Sequence, residues 1–157
     1  MYLVDTNVLS AGAPTKAVPA VELIDWMDRN SADLYLSVVT IAEIEDGIAK
    51  SRRDGAARKA ERLSEWLEVI LHLYAAKILP VDIPVARHIG RLSDAARGQG
   101  HAPGFADLAI AATAQHHGWT VLTRNVRHFT PLGVAAHDPF DTVPPDTRSS
   151  SFPTRRP

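Results

Sequence analysis

Three acids stand where apolar runs give way to helical patterns, and they are the residues best placed to do chemistry. Asp5 directly follows Tyr2-Leu3-Val4, Glu43 lies early in the helical pattern after residues 34–39, and Asp107 opens the Ala-rich stretch Leu108-Ala109-Ile110-Ala111-Ala112. Short apolar runs that alternate with helical periods predict a parallel sheet, whose ligands sit at the carboxyl ends of its strands. All three acids are expected at that edge. Each also has a plainer reading: a helix cap for Asp5, a reciprocal capping bond between Glu43 and Thr40, and dipole stabilisation of about 0.3–1 kcal/mol for Asp107. Together they are harder to explain away, because like charges held close raise one another's pKa unless a cation neutralises them. The chain has no cysteine, and His116 and His117 are adjacent rather than one turn apart. Oxygen ligands of this kind suit Mg²⁺ or Mn²⁺ better than Zn²⁺. Such an ion can activate a water and neutralise the charge that develops on a phosphodiester.

The run 119–123 ends in Thr123-Arg124-Asn125. The Thr123 hydroxyl and the Asn125 amide could complete a polar rim, while Arg124 or Arg127 could meet a phosphate. For Asn125 a turn role stands beside the site role. Lys50, Arg52, Arg53, Arg58, Lys59 and Arg62 form a basic stretch, read either as a solvated helix face or as a patch that guides RNA or meets a protein partner.

These groups need a scaffold. Strands are predicted over 2–4, 34–39, 78–81 and 119–123, with an edge strand near 134–136. Helices are expected over 18–29, from a Thr40 cap to about 49, over 56–76, from Pro84 to about 97, and over 105–116, the last ended by Gly118. Thr6 or Asn7 is the expected cap of a short first helix, and a helical hairpin turns at 51–55. The segment after 123 reads as irregular to 131. The prediction is an α/β fold, a parallel sheet of four to five strands flanked by helices, as one domain over 1–140 with a disordered tail over 141–157.

The composition agrees. The chain has 157 residues with 17 Lys+Arg against 18 Asp+Glu, so a broadly basic nucleic-acid coat is excluded and any such partner needs a local patch or a metal. No run approaches the ~20 apolar residues of a membrane span, and the first residues lack an export signal, so a cytoplasmic location is expected. Trp26, Trp66 and Trp119 fall within apolar periods and are expected in the core or an interface.

The blocks Met1-Tyr2-Leu3-Val4-Asp5-Thr6-Asn7-Val8, Val39-Thr40-Ile41-Ala42-Glu43-Ile44, Asp107 to Ala114 and Val121-Leu122-Thr123-Arg124-Asn125 resemble, in order and spacing, the four signature blocks of the PIN domain. The likeness spans about residues 1–136 and is nearest to VapC-type toxins, the FitB-like branch included. It implies a Mg²⁺- or Mn²⁺-dependent endoribonuclease that cuts structured RNA such as tRNA, a homodimer, and a VapB-type antitoxin that blocks the acidic pocket. By position it implies catalytic roles for Asp5, Glu43, Asp107 and Asn125, with the metal on Asp5, Glu43 and Asp107. Thr6, Asn7 and Thr123 would support them, and Arg124, Arg127, Lys50 and Arg53 are candidates for phosphate or RNA. The sequence departs from the pattern in having Asn125 where relatives often have Asp, and His128 where many have an acid. His128 is read either as a phosphate contact or as incidental.

Two other readings remain open at this level. In one the protein is a binding module without catalysis. In the other Asp5 is the covalent nucleophile of a phosphohydrolase, although Asn7 stands where such an enzyme needs an acid.

Overall fold

The computed structural model describes residues 1–18 and 20–146. Tyr2–Val4 (β1), Leu34–Ser37 (β2), Ile78–Leu79 (β3), Thr120–Leu122 (β4) and Ala136–His137 (β5) form one parallel sheet in the order β3-β2-β1-β4-β5. Side chains alternate across a strand. Val4, Leu34, Leu36 and Leu122 accordingly join one apolar layer with Trp26, Ile48 and Leu67, and Leu3 and Val121 join a second with Ile89, Ile110 and Phe129. Burial of both faces is why the strands read as unbroken apolar runs rather than alternating ones.

The helices are Thr6–Leu9 (α1), Val21–Arg29 (α2), Val38–Arg53 (α3), Ala57–Leu73 (α4), Ile83–Gly98 (α5), Phe105–His117 (α6) and Val126–Phe129 (α7). α3 and α4 form the expected hairpin, turning at 54–56 with Gly55 at φ 78°. Asp82 caps α5 through Val85 N, and Gly118 ends α6 in the left-handed conformation that glycine adopts without a Cβ penalty.

Several boundaries differ from expectation, each for a local reason. Ser37, not Thr40, caps α3, accepting from Val39 N at 3.1 Å, so β2 ends earlier and Thr40 lies fully buried inside the helix. Asp5 itself caps α1, in place of Thr6 or Asn7. Residues 126–129 are helical rather than irregular, because Asn125 O accepts from His128 N and Phe129 is fully buried beneath them. The edge strand falls at 136–137. Beyond 141, Val143 packs against the first apolar layer, and Asp146 accepts from Asn30 at 2.8 Å and pairs with Arg29 at 3.8 Å. One apolar side chain and a few polar contacts hold this stretch, which no periodicity could reveal. The tail expected over 147–157 lies outside the described residues.

Trp26 is buried edge-on to Tyr2, as expected of a core position, whereas Trp119 is half-buried, lies outside both apolar layers and packs against Tyr35 and His117. No helix among the described residues is long and apolar enough to cross a membrane.

Candidate active site

Parallel pairing of β1 with β2 and β4 brings the ends of these strands to one edge. Asp5 leaves β1 there, with its backbone N–H on Leu122 O at 2.9 Å and its side chain only 5% exposed. The carboxylate is fully engaged by short-range donors. Oδ1 accepts from Thr6 N at 2.7 Å, and Oδ2 accepts from Asn7 Nδ2 at 2.7 Å and from the Thr123 hydroxyl at 2.6 Å.

Thr123 is a hub. Besides donating to Asp5, its oxygen accepts from Asn7 Nδ2 at 3.2 Å and from Asn125 N at 3.0 Å. Asn7 Oδ1 in turn accepts from Arg124 N at 3.0 Å. Asn7 and Thr123 therefore orient Asp5, as the sequence suggested. The exposed Asn125 enters through its backbone, and its amide makes no hydrogen bond among the described residues.

Glu43 sits in the second turn of α3, not the first, and its expected bond to Thr40 does not form. Instead Glu43 accepts from the Thr6 hydroxyl, tying α3 to α1. Asp107 in the first turn of α6 is bonded through Oδ2 to His128 Nδ1 on α7 at 3.1 Å.

The acids feel one another. Burial pushes Asp5 above its ordinary value, against the pull of its hydrogen bonds from Thr123, Thr6 and Asn7, and the charge of Asp107 pushes the same way. Desolvation raises Glu43 likewise, opposed by Thr6, with Asp5 and Asp107 adding to the rise. None of the three pairs with Lys or Arg among the described residues.

In charge and donor type the set fits a hard dication. Its geometry is looser than the sequence implied, since no group of three His, Asp or Glu among the described residues stands close enough to hold an ion. Thr6 on Glu43 and His128 on Asp107 hold two of the carboxylates in those positions.

The basic candidates divide. Arg127 lines a cleft of ≈ 280 Å³ beside Asp107, with His101, Gly104 and His128. The Arg124 side chain instead lies over the Phe140 ring, 4.6 Å from guanidinium carbon to ring centre, so only its backbone meets the site. Lys50 pairs with Asp54 at 2.5 Å one turn along α3, while Arg53 is exposed at that helix end without a partner among the described residues. Sequence reasoning gave Lys16 and His101 no place. Lys16 and Lys59 share the wall of a second cleft, ≈ 230 Å³, with Thr6 and Glu43. Nothing local signalled the pairing of His128 with Asp107, residues 21 apart.

A family model described as PIN domain matches residues 2–130. This chain belongs to the PIN domain family. The PIN domain here is similar to toxin FitB of Neisseria gonorrhoeae, 38% identical over 142 residues covering 89% of this chain and 99% of that protein. It is also similar to VapC ribonuclease Y4jK of Sinorhizobium fredii, 34% identical over 143 residues covering 90% and 99% of the two. The crystal structure of FitAcB from Neisseria gonorrhoeae aligns with a TM-score of 0.77 and 38% identity, over 89% of this PIN domain and 99% of that chain.

Proposed function

We propose that this PIN domain is a metal-dependent endoribonuclease that cuts structured RNA and serves as the toxin of a toxin–antitoxin pair. The observation that carries the reading is the gathering of Asp5, Glu43 and Asp107, with no paired Lys or Arg, at the carboxyl edge of the sheet. Relatives named toxin FitB and VapC ribonuclease support it.

Asp5, Glu43 and Asp107 would hold Mg²⁺ or Mn²⁺ only once Thr6 releases Glu43 and His128 releases Asp107, since as they stand they are too far apart to share an ion; when bound, the ion would supply a polarised water and neutralise charge on the phosphodiester. The chain's own residues do the rest. Thr123 and Asn7 fix the Asp5 carboxylate in one orientation, so little is spent in reorganising it. Thr6 holds Glu43 at the rim until substrate or ion competes for it. Asn125, neutral where relatives often carry an acid, leaves the rim one charge poorer, which favours a single ion. Arg127 and the lysines of the second cleft supply the local positive field that a near-neutral protein needs to approach RNA.

Residues 1–140 would form the nuclease unit, working as a homodimer in the cytoplasm, with a VapB-type antitoxin closing the acidic pocket. The phosphohydrolase alternative finds no support, since Asn7 spends its amide on Asp5 where an acid would be required.

The test is cleavage of a structured RNA with and without Mg²⁺, by the wild-type protein and by Asp5→Ala. Cleavage that needs both the metal and Asp5 supports the reading, and equal activity in the two proteins rejects it.

A further inference from the structure

A third cleft, ≈ 400 Å³, lies between α5 and the C-terminal end of α6, and its wall carries no acid: it is formed by Ile83, Pro84, Arg87, His88, Arg91 and His116. Arg87 and Arg91 stand one turn apart on α5, so both guanidinium groups project from the same stripe of that helix. Both are exposed, and neither forms an ion pair among the described residues. Two unneutralised arginines held side by side repel one another, and an anion relieves them.

The cleft is fixed in place and linked to the acidic site. Arg91 Nη2 donates to His88 Nδ1 at 3.2 Å, His88 Nε2 is bonded to Gln115 Oε1 at 2.6 Å, and Gln115 Nε2 donates to Leu132 O at 2.8 Å. Leu132 also lines the cleft that holds Asp107 and Arg127. One chain of hydrogen bonds therefore runs from the wall of the acidic cleft to the arginine of the basic one. Asp107 and His116 both lie on α6, whose rise separates them by about 13 Å, an interval that a short RNA hairpin spans.

We propose that this cleft is an RNA exosite, in which Arg87 and Arg91 grip successive backbone phosphates of a structured RNA whose reacting phosphodiester lies at the acidic edge. An RNA backbone presents its phosphates in a regular row, which two guanidinium forks one turn apart can take together. His88 and Gln115 are positioning residues that hold Arg91 toward the cleft. The exosite rests on the proposed reading that RNA is the substrate and deepens it by assigning a contact that anchors the strand away from the reaction.

The test measures fluorescence anisotropy of a dye-labelled RNA hairpin with the full chain in EDTA, where the metal-dependent reaction is silent, over a range of salt concentrations. A wild-type cleavage assay in Mg²⁺ runs beside it. Arg87→Gln and Arg91→Gln should each weaken binding roughly tenfold. The double variant should lower the salt slope by about two ions. Replacing both by lysine, which keeps the charge, should restore the slope and part of the affinity. Arg97→Gln, with the same change in net charge on the same helix but outside the cleft, should bind as wild type does. All three arginines are exposed, so the variants should keep the parent's thermal midpoint. In Mg²⁺ the double variant should cleave the hairpin with a KM raised severalfold and kcat unchanged.

Unchanged binding and salt slope in the double variant would overturn the exosite, including when the true occupant is an acidic protein segment. An equal loss in Arg97→Gln would overturn it too, since net charge would then account for the effect. If wild type cleaves the hairpin and the variants bind as it does, the exosite alone fails. If wild type neither cleaves nor binds RNA, the nuclease reading falls with it.

Discussion

The Thr123 hydroxyl donates a 2.6 Å hydrogen bond to Asp5, a residue 118 positions away in the chain. The bond is fully enclosed, and the same oxygen accepts from Asn7 and from the backbone of Asn125. It locks the end of β4 to the end of β1 and sets the direction of the most buried acid.

Thr123→Val should therefore harm both fold and site. It leaves the Asn125 N–H and one Asn7 N–H without their acceptor and removes a donor from Asp5, at a cost of about 2 kcal/mol or more. Chemical denaturation should show that loss with an unchanged m-value, and RNA cleavage should fall further than the lost stability explains.

Thr40→Val should do the opposite. The Thr40 hydroxyl is fully buried without a hydrogen-bond partner among the described residues, and an unpaired buried polar atom costs about 1–3 kcal/mol. Valine has the same shape, so a rise in thermal midpoint of about 2–4 °C is expected by calorimetry. A fall would mean that the hydroxyl is satisfied in solution.

The raised pKa values of Asp5 and Glu43 give the metal-free protein a pH dependence of definite sign. Their ordinary values are 3.8 and 4.5, and both are higher in the fold. The fold binds these protons more tightly than the unfolded chain does, so their stabilising contribution is complete below the ordinary values. It is lost as pH rises through the raised ones. In EDTA, wild type should gain stability relative to Glu43→Gln as pH falls from neutral toward 4.5, as thermal scans would show. An identical slope in the two proteins would contradict a Glu43 carboxyl raised by its burial and, secondarily, by its acidic neighbours.

Divalent metal should reverse that trend. Mn²⁺ competes with protons for the same carboxylates, so its stabilisation should be larger at neutral pH than at mildly acidic pH. Asp5→Asn should lose most of it, together with roughly a hundredfold or more of the cleavage rate. Titration calorimetry of wild type that shows no Mn²⁺ binding would favour a module without catalysis.

Much of the scaffold was legible from the sequence. The unbroken apolar runs ending at Val4 and Leu122 fix a parallel sheet buried on both faces, and helical periods over α4 and α5, with Asp82, Pro84 and Gly118 at termini, place the helices around it. Local rules suffice there because periodicity and capping are properties of neighbouring residues. They failed at the caps of α1 and α3, where Asp5 and Ser37 outcompete equally eligible neighbours, since strand pairing decides where each helix can begin. Tertiary structure alone decided the partners. Thr6 takes Glu43 from Thr40, Phe140 takes Arg124 from the site, and His128 joins Asp107. Each choice depends on which side chains the packed layers bring within about 3–5 Å, a distance that separation along the chain does not encode.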